Sequence, residues 1–129
     1  MGQALLVNVD LATGAEILRI VEKAGVKVNV ALWVKLEEYS DWRLLMSSRH
    51  FEASGPGKAS GLVFDAQVAA DFPVEETPAI LILPMADPTV RALRRYFRRL
   101  SGRAVEGTRV GGQQFGNRWV EDGYVYRVS

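Results

Sequence analysis

Four arginines, Arg91, Arg94, Arg95 and Arg98, are spaced so that a helix would gather them. At 100° per residue they cover about a third of the circumference, with Arg99 at the edge. The opposite side holds Val90, Leu93, Phe97 and Leu100 at i, i+3, i+7 and i+10, a stripe that would face a core, with Tyr96 at its margin. Like charges then stand four apart at 91/95, 94/98 and 95/99, each pair costing about 0.2–0.5 kcal/mol in a helix. Something anionic is expected against them: phosphate, an acidic partner, or acids of the same chain. Arg98 and Arg99 also gain from lying near a helix C-terminus.

Other chemistry is thinly represented. Gly55-Pro56-Gly57-Lys58-Ala59-Ser60 resembles a phosphate loop but has Glu52 where the first glycine belongs and Ala59 where Ser or Thr should follow the lysine. What survives is a helix start with a lysine. His50 is the only histidine, and no nucleophile-elbow pattern accompanies Ser47 or Ser48. With one His and no Cys, no zinc site is expected. The loop carboxylates form three clusters: Glu37, Glu38 and Asp41; Glu75 and Glu76; Glu121 and Asp122. Metal-dependent phosphodiester cleavage would need acids from different clusters to converge on one divalent ion, and none are expected to. Trp33, Trp42, Trp119, Tyr39, Tyr124 and Tyr126 fall on or beside expected hairpins, where cross-strand packing accounts for them as well as base stacking does. No catalytic residue, metal ligand set or cofactor motif is assigned.

A near-neutral total hides a polarised chain. From residue 91 onward nine arginines face three acids, a net +6, while the preceding residues carry seven bases and twelve acids, a net −5. The 129 residues suit one domain, 1–129, with a sizeable core. The absence of cysteine, of a long apolar run and of a secretory leader points to a cytoplasmic protein that does not enter the membrane.

The elements that must position these residues read as follows. Asp10 or Thr13 caps a helix to about residue 24, with Ile17, Ile20, Val21 and Ala24 recurring at helical spacing and Gly25 as its stop. Residues 27–36 alternate as a strand: Val28, Val30, Leu32, Val34 and Leu36 face one way, Ala31, Trp33 and Lys35 the other. A polar loop returns the chain through residues 42–48, a hairpin. Residues 49–58 read as a connection, and 59–70 as a helix burying Leu62, Val63, Ala66 and Ala70, its apolar face widened by Phe64 and Val68. Ala79-Ile80-Leu81-Ile82-Leu83, bounded by prolines, reads as the central strand, buried on both faces. Asp87-Pro88 opens the arginine helix, which Gly102 stops. Residues 108–128 form a hairpin turning at Gly116-Asn117, with a bulge at Gly123, or else a short three-stranded meander.

The expected fold is α+β: one mixed sheet of about five to six strands with about three helices, in the order (β)αββαβα followed by ββ. With a strand at residues 3–9 the first part has the ferredoxin-like order. Without it, αββαβ also resembles the core of restriction-type nucleases. That class needs an acid, one spacer and a lysine on a strand, and neither Glu-x-Lys nor Asp-x-Lys occurs in the chain. The first functional reading is a non-enzymatic interaction module that meets an acidic protein surface, or another copy of itself as a homodimer, through Arg91, Arg94, Arg95 and Arg98. Nucleic-acid binding through the same helix stands beside it. An enzyme acting on an anionic small molecule comes third, and a deep pocket joining Arg95 or Arg98 to Glu37 or Asp41 would favour it.

Overall fold

A computed structural model of the chain describes residues 10–99 and 106–129, the side chains of 52–54, 56 and 74 excepted. Its elements are α1 (Leu11–Lys23), β1 (Val30–Leu36), β2 (Trp42–Ser47), α2 (Arg49–Ser54), α3 (Pro56–Ala69), a 3₁₀ turn (Val74–Glu76), β3 (Ile80–Ile82), α4 (Pro88–Arg98), β4 (Arg109–Val110), β5 (Gln113–Phe115) and β6 (Arg118–Val128). The fold is α+β, with one mixed six-stranded sheet in the order β3-β2-β1-β6-β4 and β5 also on β6. The strand expected at residues 3–9 lies outside the described residues, and so does the ferredoxin-like order that depends on it.

Strand β1 sits at the middle of the sheet, antiparallel to β2 and to β6. From Val30 to Leu36 its alternation is as expected, but Val28, ahead of the strand, packs with the opposite face rather than with Val30, and Ala31 and Trp33 are buried as well. Val30, Leu32, Val34 and Leu36 join the core beneath α4, and Ala31 and Trp33 join the core beneath α1 and α3. Helices therefore cover both faces. Helix α1 comes unusually close to the sheet at Gly14, where an added Cβ would meet the Tyr126 hydroxyl at 2.5 Å and Trp33 Nε1 at 2.7 Å. Trp33 Nε1 donates to the Tyr126 oxygen at 2.9 Å, and Tyr126 donates to the Leu11 carbonyl. This contact ties β1, β6 and α1 together.

The proline-bounded run is not central. β3 is an edge strand of three residues, parallel to β2, and Ile80, Leu81 and Ile82 are only half-buried. Leu81 and Leu83 pack toward the α4 side, Ile80 and Ile82 toward the α3 side. Both faces are thus covered while one edge pairs with no described strand, and apolar patterning alone cannot separate that case from a central strand. Helix α3 begins at Pro56, before the expected residue 59, and Ala70, its C-cap, is exposed rather than buried. Phe64 and Val68 do not widen its buried face; they are 49 % and 52 % exposed. The connection at 49–58 contains α2, a short helix capped by the Ser48 hydroxyl, which accepts from the His50 N–H at 3.0 Å. The C-terminal hairpin turns at Gly116-Asn117, with Phe115 opposite Arg118. Its first arm is broken into β4 and β5, and β6 runs through Gly123 without turning. The β1/β6 register shifts lie between Ala31 and Leu32 and between Lys35 and Leu36, not at Gly123.

Candidate functional site

Helix α4 starts where the sequence places it. The Asp87 carboxylate accepts the Thr89 N–H at 2.8 Å and the Val90 N–H at 3.4 Å, and Pro88 occupies the first turn. The turn between β5 and β6 presses against this end. Gly116 has φ +62°, as the first central residue of a type II′ turn requires, and a Cβ there would meet the Pro88 carbonyl carbon at 2.4 Å. Arg118 Nη1 donates to both Asp87 oxygens, at 2.8 and 3.0 Å, and to Thr89 Oγ1 at 3.0 Å. Thr89 in turn donates to the Phe115 carbonyl at 3.0 Å. Val90, Leu93 and Phe97 are buried, and Tyr96 lies edge-on to Phe97 and Phe115. Leu100 lies outside the described residues.

The arginines are consequently turned outward. Arg91, Arg95, Arg98 and Arg99 are exposed. Arg94 leans toward the end of β6, where its Nε donates to the Ser129 carbonyl at 3.0 Å. Arg91, Arg94, Arg95 and Arg98 line one shallow cleft of about 220 Å³. Among the described residues none of these side chains forms an ion pair. Residues 1–9 and 100–105 contain no acid, so Glu52 is the only Asp or Glu without a described side chain.

The remaining candidates are dispersed. Glu38 pairs with Arg118 at 3.3 Å, Glu121 with Lys35 at 3.5 Å, and buried Asp122 with Arg109 at 2.5 Å. His50 is exposed on α2, and Gly57 and Lys58 are exposed in the first turn of α3. Trp33 and Tyr124 oppose each other across β1 and β6, and Tyr124 lies edge-on to Tyr126. Burial pushes the Tyr126 hydroxyl up to about 12.

Sequence reasoning missed a second cleft, of about 640 Å³, where Asp10, Asp41 and Glu76 come together beside Trp33 and Trp42. The three acids belong to separate loops and a helix cap, so no spacing rule links them. Asp10 is held below the usual carboxylate range first by the Thr13 hydroxyl and then by the Thr13 N–H. Among the described residues no three acids or histidines are grouped to hold a metal ion. The large cleft has none of the α4 arginines in its lining, so the joint arginine–carboxylate pocket that would favour the enzyme reading is not formed there. Among the described residues no helix is long and apolar enough to cross a membrane. The chain matches no protein-family model, no curated protein and no solved structure.

Proposed function

We propose that this is a cytoplasmic, non-enzymatic interaction module that holds an acidic protein surface against the arginine ridge of α4. One observation carries the reading: Arg91, Arg95 and Arg98 crowd one exposed helical face without an ion-pair partner among the described residues. Like-charge crowding raises the energy of the free helix, and an anionic partner relieves it. Each guanidinium offers a planar fork that matches a carboxylate in a bidentate pair. The anchorage of α4 on the β5–β6 turn keeps the ridge rigid, which lowers the ordering cost of binding.

A second reading, nucleic-acid binding, is favoured by the four-arginine cleft. From position 91 to 98 a helix advances about 10 Å, roughly three phosphate steps along one strand. The same fork geometry suits phosphate.

The test is titration of an acidic polypeptide, and separately of duplex and single-stranded oligonucleotides, at low and moderate salt. The wild type should bind one class with affinity that falls steeply with salt. The triple variant Arg91→Glu, Arg94→Glu, Arg98→Glu should lose that binding while keeping its fold. Binding that the triple variant retains, or no binding to either class, sinks the proposal.

A further inference from the structure

We propose that the free edge of β3 is a two-fold interface at which the chain pairs with a second copy of itself, on a surface separate from the α4 ridge. Leu44 donates its N–H to the Ala79 carbonyl at 2.9 Å, and Leu83 donates to the Met46 carbonyl at 3.2 Å. In a parallel ladder this phase turns the backbone groups of Ala79, Leu81 and Leu83 toward β2 and those of Ile80 and Ile82 away from it. No described strand occupies that outer side. Pro78 and Pro84 share the outward phase and have no N–H to offer. The outward donors of the run are therefore Ile80 and Ile82 alone.

A second copy fits this edge in a single symmetric register. The stretch Pro78-Ala79-Ile80-Leu81-Ile82-Leu83-Pro84 is nearly palindromic in character. With a two-fold axis at Leu81, Ile80 lies opposite Ile82 of the second copy, and the reverse. Both pairs are of the hydrogen-bonded kind, and each residue gives one N–H and accepts one. Leu81 then faces Leu81 of the second copy as a non-hydrogen-bonded pair, with Cα atoms about 4.5 Å apart. Pro78 falls opposite Pro84, where neither has an N–H, so the ladder stops and the association closes as a dimer.

The helix above this edge adds an independent observation. Gln67 of α3 is buried and donates to Thr77 Oγ1 at 2.8 Å, which fixes the flank of α3 that faces β3. Phe64 and Val68 follow that flank outward, about 60° and 100° beyond Gln67. On the other flank buried Ala66, with exposed Ala69 and Ala70, lines a cleft shared with Ile20 and Ala24 of the α1 side. The two large exposed apolar side chains of α3 thus stand over the open strand edge. A two-fold axis at Leu81 brings α3 toward its copy, so that Phe64 and Val68 of each chain cover one another. None of Phe64, Val68, Ile80 and Ile82 carries a charge. Pairing at the edge gives the β3 run the two flanking strands that its apolar pattern suits.

The chain contains no cysteine, so single thiols report cleanly. Leu81→Cys, oxidised in dilute solution, should give a covalent dimer, because a non-hydrogen-bonded antiparallel pair has Cα atoms within disulfide reach. Arg95→Cys on α4 is the control and should not. Light scattering across a dilution series should give the wild type about twice the mass of the 14.3 kDa chain. Phe64→Asp with Val68→Asp should return it to single-chain mass with unchanged circular dichroism, and the α4 triple variant should remain a dimer. A single-chain mass at every concentration, with Leu81→Cys cross-linking no faster than the control, overturns the proposal. So does a dimer that the α4 variant dissociates and the Phe64/Val68 variant does not; that result places self-association on the arginine ridge.

Discussion

On β4 and β6, Arg109, Arg118 and Arg127 each meet acids of the same chain: Asp122, then Asp87 and Glu38, then Glu22. On α4, by contrast, Arg91, Arg95 and Arg98 meet none among the described residues. The same residue type is thus used in two ways within one charge-rich stretch. The strand arginines close the fold: Arg109 ties β4 to Asp122 of β6, and Arg118 and Arg127 tie β6 to acids far along the chain. Arg91, Arg95 and Arg98 make no such tie among the described residues and leave charge for something outside. The positive excess after residue 90 is therefore two populations, and only one is available to a partner.

The largest effects are expected at the strand arginines. Arg118→Met leaves the Asp87 carboxylate, whose side chain is 10 % exposed, facing Thr89 without its cation. Removing one member of a buried pair costs about 3–5 kcal/mol. The α4 N–H groups still satisfy part of Asp87, so the lower end, about 3 kcal/mol, is expected in urea denaturation. Arg109→Met strands buried Asp122 in the same manner, but the Gly123 N–H at 2.8 Å remains to it. A loss of about 2 kcal/mol follows, the range for hydrogen bonds to a charged group. If both variants unfold with wild-type midpoints, the strand arginines are no more structural than those of α4.

Tyr126 on β6 extends the closed region to a neutral group. Tyr126→Phe leaves Trp33 Nε1 and the Leu11 carbonyl without their partner, and should cost about 1–2 kcal/mol. The wild type should also have an alkaline signature. Its folded-state pKa, about 12, lies above the ordinary 10, chiefly because burial disfavours the phenolate. Above pH 10 the unfolded chain releases this proton and the folded chain keeps it, so stability is complete below pH 10 and falls as pH rises toward 12. Tyr126 is partly exposed, and solvent screens the effect to below about 1 kcal/mol. Denaturation midpoints of wild type and Tyr126→Phe across that window should converge as pH rises; parallel curves would remove the tyrosine from the closed region.

How much of this was legible in the sequence depended on whether the signal was local. The N-caps of α1 and α4, the buried positions Ile17, Ile20, Val21, Val90, Leu93 and Phe97, the β1–β2 hairpin and the Gly116-Asn117 turn rest on neighbours a few residues apart and lie where that spacing predicts, whereas Ala24 is exposed, and Leu100 and Gly102 lie outside the described residues. The rank of β3 in the sheet was not, because a parallel partner is set by the α2–α3 crossover and not by the strand. Phe64 and Val68 fit a helical apolar face, yet α3 lies near the sheet's edge and has nothing beneath that flank. For the candidate site, the outward direction of the arginines followed from their spacing against the apolar stripe. Which arginines would find acids did not. Asp87, Asp122 and Glu22 reach Arg118, Arg109 and Arg127 through strand register and packing, which sequence spacing does not encode.

The smallest effect on stability is expected on α4 itself, and it gives the comparison its sharpest form. In the triple variant Arg91→Glu, Arg94→Glu, Arg98→Glu, position 91 becomes acidic four residues before Arg95, and position 98 three residues after it; each new opposite-charge pair gains about 0.2–0.5 kcal/mol. Against this, positions 94 and 98 exchange one like-charge pair for another. The Arg94 hydrogen bond to Ser129 is lost from a partly exposed site, and an acid near the helix C-terminus is opposed by the helix dipole, by about 0.3–1 kcal/mol. The contributions nearly cancel, and the apolar stripe is untouched. The urea midpoint should therefore correspond to a change within about 1 kcal/mol of wild type, alongside complete loss of anion binding. A loss on the scale expected for Arg118→Met would mean that the ridge supports the fold, and that the two groups of arginines do the same work.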